Sequence, residues 1–142
     1  MTKNILLDTG FLIALCDPTD EQKRRENAVS LYELIEKQNV IIPWPILYET
    51  FRTKYSRKNN VLVLFEAFLK KNNVHYLDDS PYRENVYIQV IDSYNKQKKR
   101  YSMVDFVIRE IIADINVKID YLITFNQKDF QDICSIRQIE IY

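Results

Sequence analysis

Five short strand-like runs, separated by longer stretches of helical periodicity, constrain this chain more than any other feature. The runs are Asn4-Ile5-Leu6-Leu7-Asp8, Val40-Ile41-Ile42, Val74 to Leu77, Tyr121-Leu122-Ile123-Thr124 and residues 138–142. Each has the length of a buried strand and ends in polar or turn-forming residues. The first is followed by a short helical segment over 11–16. Asp17-Pro18-Thr19-Asp20 then carries helix-start chemistry, and 20–38 reads as an amphipathic helix with Ala28, Leu31, Leu34 and Ile35 on one face. Pro43 and Pro45 break the second run, and Pro45 suits the first turn of a helix over 45–57. Helices are also expected over 60–71 (apolar at Val61, Leu64, Phe65, Phe68 and Leu69), from Asp78-Asp79-Ser80-Pro81 to residue 97, over 103–116 and over 127–133. Strands alternating with helices predict an α/β fold whose parallel sheet is covered by helices on both faces. No repeat or linker divides the chain, so a single domain over residues 1–142 is expected.

Composition narrows the chemistry by exclusion. Gly10 is the only glycine. A phosphate-binding P-loop, a dinucleotide turn and a nucleophile elbow each need several glycines. The one glycine stands two residues after Asp8, where the backbone needs either room or an unusual dihedral. Cys16 and Cys134 lack a nearby Cys partner and are expected to be buried and reduced. The single histidine, His75, has no cysteine beside it, which argues against structural zinc. With 20 basic and 20 acidic residues, any nucleic-acid contact must rest on local patches rather than bulk charge. There is no membrane-length apolar run and no signal-peptide pattern, so a cytoplasmic location is expected.

The acidic residues fall in a telling order. Asp8 closes the first run, and Glu49 lies in the helix after the second. Asp105 opens the helix after Tyr101-Ser102-Met103-Val104, while Asn126 and Asp129 follow the fourth run. In an open parallel sheet the residues just past the strand C-termini gather at one edge, where ligands bind. Carboxylates gathered there commonly hold Mg²⁺ or Mn²⁺ against a phosphate. Taken singly, each has a plainer reading. Asp8 and Asp105 are good helix N-terminal residues, Glu49 suits a solvated helix surface, and Asp129 suits a loop or cap.

These segments resemble the PIN-domain nucleases, above all the short VapC-like toxin ribonucleases of bacterial toxin–antitoxin pairs. Four motifs carry the resemblance in order: Leu6-Leu7-Asp8-Thr9-Gly10-Phe11-Leu12-Ile13-Ala14-Leu15, Ile42-Pro43-Trp44-Pro45-Ile46-Leu47-Tyr48-Glu49-Thr50, Tyr101-Ser102-Met103-Val104-Asp105-Phe106, and Leu122-Ile123-Thr124-Phe125-Asn126-Gln127-Lys128-Asp129-Phe130. The resemblance implies a three-layer α/β/α fold and a metal-dependent endoribonuclease. It implies catalytic positions at Asp8, Glu49, Asp105, Asn126 and Asp129, with Asp8, Glu49 and Asp105 holding Mg²⁺ or Mn²⁺. The fourth position departs from the family pattern, which often has Asp where this chain has Asn126; either Asn126 or Asp129 fills it. Thr9, Ser102 and Thr124 match polar positions that orient the carboxylates or a water. The expected partners are an RNA substrate, a small antitoxin protein and a second copy of the chain, with exposed apolar residues around 46–69 as candidate surfaces.

The basic run Lys96 to Arg100 reads as a solvated helix end. Its place before Ser102 makes Lys98, Lys99 and Arg100 candidate RNA-backbone contacts, together with Arg52, Lys54, Arg57 and Lys58. Asp8-Thr9-Gly10 also spells the aspartic-protease signature, but that chemistry needs paired aspartates in mostly β structure with glycine-rich flaps. The other rival is a catalytically weakened PIN-like module that binds RNA or protein without cutting.

Overall fold

The computed structural model describes residues 1–17, 22–53, 57–96, 98–99 and 101–142. Five parallel strands form one sheet in the order β3-β2-β1-β4-β5: β1 Asn4–Leu7, β2 Asn39–Pro43, β3 Val74–Leu77, β4 Tyr121–Ile123 and β5 Glu140–Ile141. The helices are α1 Thr9–Cys16, α2 Gln22–Ile35, α3 Trp44–Arg52, α4 Asn59–Leu69, α5 Arg83–Asn95, α6 Met103–Ala113 and α7 Gln131–Arg137. Parallel crossovers are right-handed. The chain steps from β1 to β2 to β3 in one direction and to β4 and β5 on the other side of β1. That reversal puts α1–α4 on one face and α5–α7 on the other, consistent with the packing of α1 on α2, α3 and α4 and of α6 on α5 and α7. The expected three-layer arrangement is what forms.

Burial explains the strand order. Leu6 and Leu7 of β1 and Leu122 of β4 are fully buried, as suits central strands covered on both faces. The outer strand β3 carries exposed His75 and Tyr76, and β5 is only a two-residue pairing, so neither edge is long or apolar. Phe11, Phe65, Phe130, Ile42, Ile46, Ile108, Ile111 and Ile112 fill the layers between sheet and helices. Cys16 and Cys134 are buried free thiols, pushed up to about 12 and about 11 by desolvation.

Element ends differ from expectation for identifiable reasons. The helix expected over 20–38 ends at Ile35, because the chain turns to bring Asn39 beside Asn4. Its residues 20 and 21, with Pro18 and Thr19, lie outside the described residues. Ala28 and Ile35 enter the core, but Leu34 is 65% exposed, and Leu64 of α4 is also exposed. Helical spacing predicts a stripe; the packed neighbour covers only part of it. The helix expected over 45–57 closes at Arg52. That expected over 127–133 divides into a 3-10 turn, Gln127–Asp129, and α7, which ends at Gln138 in the left-handed region (φ 55°).

Gly10 serves close approach, not dihedral freedom. It lies in α1, and no described glycine has positive φ. A Cβ there would stand 2.9 Å from Arg24 Nη2 and 3.2 Å from Phe125 Cδ2. The Arg24 guanidinium stacks on the Phe125 ring at 4.7 Å. The glycine thus lets α2 and the segment after β4 close over the start of α1.

Candidate active site

The site is built outward from the junction of β1 and β4, where successive crossovers leave in opposite directions. Such switch points leave a crevice beyond the strand ends. Asp8 follows β1, and its backbone N–H donates to Ile123 O at 3.1 Å, continuing the ladder into the turn. It is also the N-cap of α1: Oδ1 accepts from the Thr9 N–H at 2.8 Å. Its Oδ2 accepts from the Thr124 hydroxyl at 2.8 Å, and Thr124 Oγ1 accepts from the Asn126 N–H at 3.0 Å. The end of β4 therefore orients the carboxylate at the end of β1.

Asp8 is only 5% exposed. Its carboxyl lies above the ordinary range, chiefly through desolvation, with the charges of Glu49 and Asp129 adding to the rise; the Thr124 and Thr9 hydrogen bonds oppose it without reversing it. Asp105, half-buried in the first turn of α6, is also raised. Burial again leads, and Asp8 and Asp129 are the like charges that add to it. Ser102 caps α6 by accepting from the Asp105 N–H at 3.1 Å, and its hydrogen-bonding groups oppose the rise at the Asp105 carboxyl. Glu49 comes from α3, which touches α6 across the strand ends. Asp8, Glu49, Asp105 and Asp129 thus enter one electrostatic neighbourhood with Asp8 at its centre.

The plainer helix-start roles hold as well: Asp8 caps α1, and Asp105 lies in the first turn of α6 behind its Ser102 cap. Capping alone, however, stabilises a carboxylate's charged form; here burial and neighbouring carboxylates win. Among the described residues, no three acidic, histidine or cysteine side chains stand close enough to form a ready coordination shell. The expected ligands Asp8, Glu49 and Asp105 therefore do not make a closed cage. An open, all-oxygen set still fits a hard divalent ion that keeps several waters. Thr9 Oγ1, buried with no hydrogen-bond partner among the described residues, adds an uncommitted oxygen beside Asp8.

The fourth motif lies along a cleft lined by Phe125, Asn126, Gln127, Lys128, Asp129 and Gln131. Asn126 is exposed, and its carbonyl accepts from the Asp129 N–H at 3.0 Å. Of the two candidates for this position, Asp129 is the one whose charge reaches Asp8 and Asp105.

The basic candidates separate. Arg52 is exposed at the end of α3. Lys98 pairs with Asp92 at 3.3 Å, and Lys99 pairs with Asp129 at 3.4 Å. Arg57 is exposed, while Lys58 pairs with Asp17 at 3.5 Å near the end of α1. Lys54 and Arg100 lie outside the described residues.

Sequence reasoning did not single out Arg109. It lies four residues after Asp105, donates from Nη1 to Asp129 O at 2.7 Å, and grips both oxygens of Asp132 at 2.8 and 2.7 Å. Its guanidinium also stacks on the Tyr101 ring at 4.6 Å. The one available signal was its helical register with Asp105, on the face turned toward the fourth motif.

No protein-family model matches the sequence, and no curated protein matches it. Solved structures do match. VapC20 of Mycobacterium tuberculosis, a Sarcin-Ricin loop cleaving toxin, aligns with a TM-score of 0.68 at 20% identity, over 90% of this chain and 94% of that one. A chain of VapBC2 from Rickettsia felis, in a structure bound to a promoter DNA fragment, aligns with a TM-score of 0.59 at 16% identity, over 98% and 97% of the two chains. The chain described here therefore has the three-layer α/β/α fold of the PIN-domain VapC toxins.

Proposed function

We propose that this protein is a metal-dependent endoribonuclease that hydrolyses RNA phosphodiester bonds as the toxin of a toxin–antitoxin pair. One observation carries the reading: Asp8 is buried at the sheet's switch point, held by Thr9 and Thr124, with the Glu49, Asp105 and Asp129 charges around it. Asp8 and Asp105, both held above the ordinary carboxylate range by burial and like charge, would gain free energy from a bound divalent cation. The similarity to a Sarcin-Ricin loop cleaving toxin supports the nuclease reading.

Bound Mg²⁺ or Mn²⁺ would lower the pKa of a coordinated water and neutralise charge building on the phosphate. Asp8, Glu49 and Asp105 would hold the ion. Thr124 and the Thr9 N–H fix the orientation of Asp8, and Ser102 fixes Asp105. Asp129 adds negative charge from the fourth motif, and exposed Asn126 offers an amide to the substrate. Arg52, Lys98, Lys99 and Arg100 are the proposed cations for the RNA backbone.

A small antitoxin protein is the proposed partner, supported by the similarity to the VapBC2 pair. Exposed Tyr48 and Phe51 on α3 and Val63 and Leu64 on α4 are surfaces for it or for a homodimer. No helix among the described residues is long and apolar enough to cross a membrane. A cytoplasmic site of action accords with an RNA substrate.

The deciding experiment incubates the protein with structured and single-stranded RNAs in Mn²⁺, in EDTA and with Asp8→Asn. Cleavage only by wild type in Mn²⁺ is expected. RNA binding without cleavage in any condition would favour a non-cutting module, in which Asp8 and Asp105 serve only at the starts of α1 and α6.

A further inference from the structure

Lys99 and Asp129 stand at the rim of the acidic cluster in an arrangement that ties ion binding to RNA binding. Their Nζ–Oδ1 separation is 3.4 Å, and the side chains are 58% and 31% exposed. A pair so long and so wet is weak and readily exchanged. Asp129 nevertheless belongs to the cluster, because its charge is felt by both Asp8 and Asp105.

We propose that Lys99 competes with a divalent cation for the Asp129 carboxylate and, once displaced, binds a phosphate of the RNA backbone, so that ion and RNA bind with positive coupling. This rests on the metal-dependent nuclease reading and assigns one side chain the link between its two ligands.

The surroundings of the pair suit that exchange. Lys99 Nζ lies 4.9 Å from the Tyr101 ring centroid, so the aromatic face keeps the cation near the cleft after it leaves the carboxylate. Arg109 is not exchanged in the same way. It grips Asp132 through two bonds and the Asp129 carbonyl through a third, which holds the 3-10 turn in place as Lys99 moves. Lys98 is a built-in contrast: it pairs with Asp92, which also takes Lys96 at 2.8 Å. Two adjacent lysines thus face different acids, and only Lys99 faces the cluster. A dication near Asp129 repels the ammonium as it takes the carboxylate, leaving an uncompensated positive charge beside the RNA path. By linkage, RNA must then strengthen ion binding by the factor with which the ion strengthens RNA binding.

The test titrates Mn²⁺ into the full chain by calorimetry. It then measures binding of a fluorescent 2′-O-methyl RNA oligonucleotide with and without Mn²⁺, checking the oligonucleotide's integrity on a gel. Wild type should bind the oligonucleotide about five-fold tighter in Mn²⁺. Lys99→Met should bind Mn²⁺ about five-fold tighter than wild type and lose most of that coupling. Lys99→Arg should restore the coupling, and Lys96→Met, which removes a cation paired with Asp92, should leave Mn²⁺ affinity unchanged. If Lys99→Met matches wild type in Mn²⁺ affinity and coupling, the Lys99 role is overturned while the nuclease reading stands. If wild type binds no Mn²⁺, both fall.

Discussion

Asp8 and Asp132 are the same residue at similar addresses, and the fold uses them in opposite ways. Each stands at a helix start, Asp8 as the N-cap of α1 and Asp132 in the first turn of α7. Asp132 lies mostly in solvent and meets Arg109 fork to fork, which brings its carboxyl down to about 2. Asp8 is buried, and burial and its acidic neighbours raise it. The helix start favours the ionised form of both. What separates them is desolvation and the sign of the nearest charge. Asp132 is satisfied by Arg109, whereas Asp8 meets burial and like charge.

Chemistry should separate the two most sharply. Asp8→Asn is expected to lower RNA cleavage by on the order of 100- to 1000-fold, the scale for removing one electrostatic group from a reacting site. Asp132→Asn should leave turnover within a few-fold. Equal losses in a Mn²⁺-dependent cleavage assay would show that the contrast has no catalytic meaning. Next in size is Thr124→Val, which keeps shape but removes the donor to Asp8 Oδ2. A loss of about 10- to 100-fold in Mn²⁺ affinity is expected by calorimetry, as for other groups that orient a ligand.

Stability should show the same contrast with opposite slopes. Asp132 has a depressed carboxyl, so its contribution is complete above the unfolded value of about 3.9 and is lost as pH falls through about 2. Removing it with Asp132→Asn should cost no more than about 1 kcal/mol, because the pair is largely solvated. Asp8 has a raised carboxyl, so the fold is favoured while the group is protonated and loses that advantage as pH rises through the folded value. In EDTA, Asp8→Asn should therefore gain on wild type toward neutral pH, whereas Asp132→Asn should lose on it. Melting temperatures from pH 2 to 7 read both; parallel curves would erase the comparison. The smallest effect is expected at Leu34, which helical spacing puts on the core face but the fold leaves exposed. Leu34→Ser should change stability by no more than about 0.5 kcal/mol in urea unfolding.

Much of this molecule is legible along the chain because its signals are local. The five strand-like runs became the five strands, since strand length and flanking residues follow from near neighbours. The Ser102 cap and the proline start of α3 are likewise local. Leu34 departs from expectation because periodicity marks a stripe but not the width of what packs on it. Arg109 escaped notice because its partners, Asp129 and Asp132, lie about twenty residues away and come within reach only when α7 packs on α6. The pairing of Lys99 with Asp129 was hidden for the same reason.

The order of residues by itself established an alternating α/β chain, excluded glycine-built phosphate loops, and put acidic residues after successive strands. Strand and helix periodicity and turn chemistry act over a few residues, so they survive in the linear record. Tertiary structure decided which carboxylates are buried together and which are neutralised by arginine or lysine, and it set the need for a glycine beside Arg24 and Phe125. Those outcomes depend on desolvation and on charge separations of a few ångströms between residues remote in sequence, quantities that exist only once the sheet has closed its helices over them.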